Sequence, residues 1–231
     1  MSYNIFAYLK FEYQNEKKSD LVTNLKSLLS SFWYMMFAII LSSMLILIPL
    51  DGFIKSILKL PSILESLNQV NKHNANLSFL TVVLVGPFAE ELIFRFFLNF
   101  KKINLGISLF FISFFVLGSR FNYEALFLKS TLINAIISFL FSITIYLTLI
   151  KKYEFTIKHK IVITLFSIVI FGLVHITNFN DINYKLIPFY PFFVLPQIIM
   201  GYFITNLRLR KGFIWGFLLH ALINLIFYVT N

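Results

Sequence analysis

Seven apolar runs, joined by short polar connections, decide what this chain can fold into. They fall near 28–50, 77–99, 103–118, 131–150, 160–178, 187–206 and 213–229. A helix needs roughly 20 apolar residues to cross the hydrocarbon of a bilayer. Most of these runs meet that length, and only the third is short. Inside lipid the backbone must satisfy its own polar groups, which leaves helices and closed barrels. Apolar runs of this length, without strict alternation, predict helices. The expected fold class is all-α, a polytopic transmembrane helical bundle of about seven spans (6–8). A chain that is 58% hydrophobic and 13% charged suits lipid as its solvent, because soluble domains carry about a quarter charged residues.

The expected organisation is one membrane domain, 28–231, behind an interfacial or soluble lead-in, 1–27. The lead-in lacks the charged-then-apolar-then-small order of a cleaved signal peptide. The connection 51–76 is amphipathic. Leu58, Leu60, Ile63, Leu64 and Leu67 are expected on a membrane surface, with Lys59, Glu65 and Asn68 facing water. With seven spans, thirteen Lys and Arg fall on the side of the N-terminus, among them Arg208, Arg210 and Lys211, and six fall on the other. That bias predicts a plasma-membrane protein with a cytoplasmic N-terminus and an outside C-terminus. The net charge of +10 is spread over short loops without a stripe, so nucleic acid is not an expected partner and the lipid bilayer is. No cysteine is present, which removes disulfides, thiol catalysis and thiolate metal sites.

Against this background a few polar residues are out of place. Glu90 and Glu91 stand side by side within an apolar run. A charge at mid-bilayer costs several kcal/mol, about 2.5–3.5 on insertion scales, so it needs compensation. Arg95 lies four residues after Glu91, on the same helix face, and is its expected ion-pair partner. Glu90 points about 100° away and is left for chemistry. His175 and His220 also lie within apolar runs. Phe171 precedes His175 by four residues, and Asn224 follows His220 by four. Singly, each reads as an interhelical hydrogen-bonding residue. Together, a carboxylate, an imidazole and a His–Asn pair are the parts needed to activate a water and hold an oxyanion.

These residues carry a resemblance. EELIFR at 90–95, FGLVH at 171–175 and HALIN at 220–224 resemble the EExxxR, FxxxH and HxxxN elements of the type II CAAX prenyl endopeptidase family, also called the CPBP or Abi intramembrane proteases. The resemblance covers roughly 80–224. It implies an intramembrane endopeptidase acting on a membrane-associated protein or peptide. Glu90 would activate the water, His175 would help hold it, and His220 and Asn224 would donate to the oxyanion. Arg95, through Glu91, would orient the helix. The family is often classed with metalloproteases, and Glu90, His175 and His220 are the candidate zinc ligands. However, HExxH is absent, so the favoured mechanism requires no cofactor and zinc is the alternative. Leu50-Asp51-Gly52 echoes a site-2-type element and, without HExxH, is read as a chance match. The reading of another class is a non-catalytic membrane scaffold, or a bacteriocin-immunity-type regulator that keeps the family fold.

Overall fold

The computed structural model describes Phe11 and residues 20–66, 78–117, 129–179 and 182–230. Most of the lead-in, Leu67, Asn68, His73, Arg120 and Glu124 lie outside the described residues. All regular structure among the described residues is helical. Helix α1 runs Leu21–Ser56, α2 covers 79–94, α3 Lys102–Val116, α4 Lys129–Ile145 with a wider last turn Tyr146–Ile150, and α5 Ile157–Val174 with a 3-10 turn His175–Asn178. Helix α6 spans Leu195–Lys211 and α7 Phe213–Thr230. By length and apolar composition α1, α4, α5 and α7 qualify as membrane spans, and α3 is a shorter apolar helix. The remaining two runs fall short for physical reasons. The run 77–99 is cut where the backbone turns out of helical geometry at Arg95 (φ −135°). Its 79–94 helix is about 24 Å long, less than the hydrocarbon thickness. Helix α6 carries Thr205, Asn206 and Arg208 among its buried residues.

Two sequence expectations change. The first helix begins at Leu21, inside the expected lead-in, and continues through Asp51 to Ser56. The surface-lying connection is partly core. Asp51 is buried and accepts from Ser62 Oγ (2.7 Å), Ile63 N (2.8 Å) and Leu64 N (3.3 Å). It thereby caps the short helical turn at 63–66. This pulls Ile63 into an apolar cluster with Leu47, Ile54, Phe179, Tyr190 and Phe193, while Lys59 and Glu65 stay exposed as expected. The acid of the Leu50-Asp51-Gly52 element is therefore a structural cap.

Helix α6 is the hub, packed against α1, α5 and α7. The main core gathers Phe32 and Met35 from α1, Phe94 from α2, Phe171 from α5, Ile204 from α6 and Leu219 from α7. Small residues let these helices approach. A Cβ on Gly172 would lie 2.2 Å from an Ile198 side-chain carbon, and one on Gly201 would lie 2.9 Å from the Phe171 ring.

Candidate active site

The site is organised by irregularities in α2. Its first half, Thr81–Val85, winds as a π-helix that gives way to Gly86-Pro87. The Gly86 N–H reaches back five residues to the Thr81 carbonyl. Proline has no N–H, so Pro87 cannot continue that pattern onto Val82. The Val82 carbonyl is thus orphaned by the sequence itself. It is met by Asn224, whose Nδ2 donates to it at 3.0 Å from α7. The same pairing of a π segment with a proline occurs in α1, where Ser43–Leu47 precedes Pro49. Asn224→Ala is expected to cost about 1–3 kcal/mol, the penalty of a buried unsatisfied carbonyl. Adding Pro87→Ala, which restores a backbone donor, is expected to recover part of that loss. Chemical denaturation in detergent of the single and double variants measures both.

The other end of α2 stops among its neighbours, leaving carbonyls that water cannot reach. Side chains from three helices supply the donors. Ser108 Oγ donates to the Leu92 carbonyl (3.0 Å) and Ser167 Oγ to that of Phe94, while Arg208 Nη2 donates to the carbonyl of Phe96 in the 3-10 turn Phe96–Asn99 that follows (3.0 Å).

Within this frame Glu91 and Arg95 form an ion pair with both side chains fully buried. Arg95 Nε also donates to Thr205 Oγ1 at 3.1 Å, and its guanidinium lies 4.0 Å from the centroid of the Phe171 ring. That ring contacts the His175 and His220 imidazoles as well, with centroids 4.8 and 5.8 Å apart. Phe171 therefore joins the three sequence elements physically, through cation–π and edge-on ring contacts.

His220, buried, stands between the two glutamates. Its Nδ1–H donates to Glu91 Oε1 at 3.0 Å, and its Nε2 lies 3.5 Å from Glu90 Oε2. The Glu91 contact thus fixes which ring nitrogen faces Glu90. Glu90 differs from its neighbour: among the described residues it forms no pair with an Arg, and its side chain keeps 34% of its surface exposed. It lines a cavity of about 320 Å³ together with Ala89, Phe115, His175 and Asn178. His175 Nδ1–H donates to the Phe171 carbonyl at 2.7 Å, so in the neutral ring the Nε2 lone pair is left for a ligand or a water. By counting from the span ends His175 is expected at a different level from Glu90, yet both line this cavity.

Asn224 is placed apart from Glu90. It lines a second cavity of about 150 Å³ with Gln197, Met200 and His175, which walls both spaces. The site thus unites Glu90, Glu91, Arg95 and His220 directly, with His175 across the cavity and Asn224 behind it. Among the described residues no group of three His, Asp or Glu side chains is preformed around a metal position.

Sequence reasoning missed Thr205 and Arg208. Arg208 reads as one of three loop cations, yet it is buried, hydrogen-bonded to the Phe96 carbonyl just past α2, and 4.9 Å from the Phe213 ring centroid. The available signal was periodicity: Ile204, Thr205 and Arg208 sit at i, i+1 and i+4, continuing the buried face of α6 beyond its apolar run.

The helical bundle thus packs a buried glutamate–arginine pair, a histidine set between two glutamates, and a second histidine that shares a cavity with Glu90. The family model described as type II CAAX prenyl endopeptidase Rce1-like matches residues 72–226, and the chain belongs to that family. No curated protein and no solved structure matches it.

Proposed function

We propose that the chain is an intramembrane endopeptidase that hydrolyses a peptide bond of a membrane-associated protein or peptide. The observation that carries this reading is the cavity onto which Glu90 and His175 both open, backed by the Glu91–Arg95–Phe171 assembly. Water held between Glu90 and the His175 Nε2 loses a proton to Glu90 as its oxygen bonds to the scissile carbonyl carbon. Glu90 and His220 Nε2, 3.5 Å apart, can share that proton. It is then delivered to the amine nitrogen as the C–N bond breaks. While its Nε2 carries that proton His220 is one donor for the oxyanion, and the second N–H of Asn224 is the other, in a site where such donors are strengthened by the low dielectric. A metal-free reaction is proposed, since HExxH is absent from the sequence, with zinc held by Glu90, His175 and His220 as the alternative.

In this reading α2, α3 and α6 complete about seven passes beside the four helices of spanning length. The membrane domain follows a lead-in that ends near residue 20, where α1 begins, rather than 27. The N-terminus is cytoplasmic and the C-terminus outside. Burial of Arg208 removes one cation from the count and leaves its sign unchanged. The family's CAAX description makes a lipid-anchored C-terminus one substrate to test.

His175→Ala is expected to lower cleavage of a membrane-anchored peptide by on the order of 10²-fold, with no change on adding a chelator to the wild type. Loss of wild-type activity on chelation would instead establish zinc as required. The scaffold or immunity-type reading draws on Asn224, whose observed partner is a backbone carbonyl rather than a cavity group. It predicts that Glu90→Gln and His175→Ala both leave the cellular phenotype intact.

A further inference from the structure

Outside the polar centre, a cavity of about 380 Å³ lies between α3 and α4. Its walls are almost wholly apolar: Ile103, Phe110, Phe139 and Ile143 line it, with Gly106 set against the Tyr146 ring. A Cβ at Gly106 would come within 3.1 Å of that ring, so a larger residue there would close the space. Helix α4 packs mainly against α3 and leaves Leu132, Ile136, Phe139 and Leu140 exposed, so the groove opens toward the acyl chains of the bilayer.

One end of the groove is strongly basic. Lys101 and Lys102 precede Ile103, and Lys151 and Lys152 follow the last turn of α4; all four are exposed. The two pairs are held together, because Lys102 Nζ donates to the Lys151 carbonyl at 2.7 Å. The connection after α4 continues the patch. Phe155 packs on Phe100, and Lys160 lies over the Phe100 ring at 5.6 Å. Across 100–104 and 149–160 the only acid is Glu154, against six lysines.

An apolar slot in the hydrocarbon that ends in a lysine cluster at its mouth matches one chemistry: an acyl chain bearing an anionic phosphodiester headgroup. We propose that the α3–α4 groove is a binding site for a single anionic phospholipid. One acyl chain lies along Ile103, Phe110 and Ile143, and the phosphate sits among Lys101, Lys102, Lys151 and Lys152. The bound lipid fastens α4, the most peripheral helix, to α3. This inference does not depend on the proposed peptidase activity.

The test is native mass spectrometry and thermal unfolding of the full chain, released from nanodiscs of phosphatidylglycerol or of phosphatidylcholine with identical acyl chains. One phosphatidylglycerol is expected to be retained in preference to phosphatidylcholine by on the order of tenfold, a preference that one or two lysine–phosphate contacts supply. The unfolding temperature should rise with it, and both effects should fade at high ionic strength. The triple variant Lys102→Gln, Lys151→Gln, Lys152→Gln should lose the headgroup preference. Ile143→Trp, which fills the slot from a lipid-exposed position, should lose retention of either lipid. Soluble glycerol phosphate should produce no shift. Equal retention of the two lipids, an unaltered preference in the triple variant, or an equal shift from glycerol phosphate would overturn the proposal. The first and second would mean that only the acyl chain is recognised, and the third that the ligand is a free phosphate.

Discussion

Glu90→Gln is expected to reduce the rate of peptide hydrolysis by on the order of 10²–10⁴-fold, the contribution of a positioned general base. The amide has the shape of the carboxylate and cannot accept the proton. The substitution should spare the fold. Glu90 lies outside the buried ion pair, and one third of its side-chain surface opens to the cavity. Steady-state kinetics on the purified variant should therefore show a fall in kcat with KM nearly unchanged. Detergent unfolding should stay within about 1 kcal/mol of the wild type, as for substitutions that leave no buried group unpaired. Full activity in Glu90→Gln would remove the general-base role.

Arg95→Leu is expected to have the opposite signature. Glu91 and Arg95 are fully buried against each other, so removing the guanidinium strands a carboxylate in the bundle. Breaking a buried pair from one side costs about 3–5 kcal/mol. It also removes the donor to Thr205 and the cation over Phe171. The double variant Glu91→Leu, Arg95→Leu strands no charge and should recover a substantial part of this stability. It should not recover activity, because the partner that fixes His220 Nδ1 would be gone. Denaturant titration of the two singles and the double measures the coupling. A cost below about 1 kcal/mol for Arg95→Leu would show that the pair does not hold the site together.

The two glutamates show how far the sequence alone could reach. Helical spacing separated a paired Glu91 from an available Glu90, because four residues bring Arg95 onto the face of one and away from the other. Runs of apolar residues gave an all-helical membrane fold for a similar reason: their length and composition are local properties. Position within a face was less accessible. His220 and Asn224 share a face of α7, and spacing predicts that they act together, yet they reach different partners. The cause lies in α2, where a π-turn and Pro87 expose the Val82 carbonyl on one level and the glutamates on another. Such a bulge leaves no mark in hydropathy beyond the proline. Arg208 escaped for a related reason. A cation near the end of an apolar run looks like a loop residue until its target, the carbonyl of Phe96, is known. Asp51 was likewise illegible, since its partners at 62–64 are found only once the chain turns back on itself.

The central claim, that Glu90 drives peptide hydrolysis inside the bilayer, is tested most directly by one comparison. Wild-type protein and Glu90→Gln, reconstituted in liposomes, are incubated with a library of membrane-anchored peptides, and the products are read by mass spectrometry. Products bearing a defined new terminus with the wild type, and none with Glu90→Gln, are the predicted result. The same products from both proteins would contradict the account.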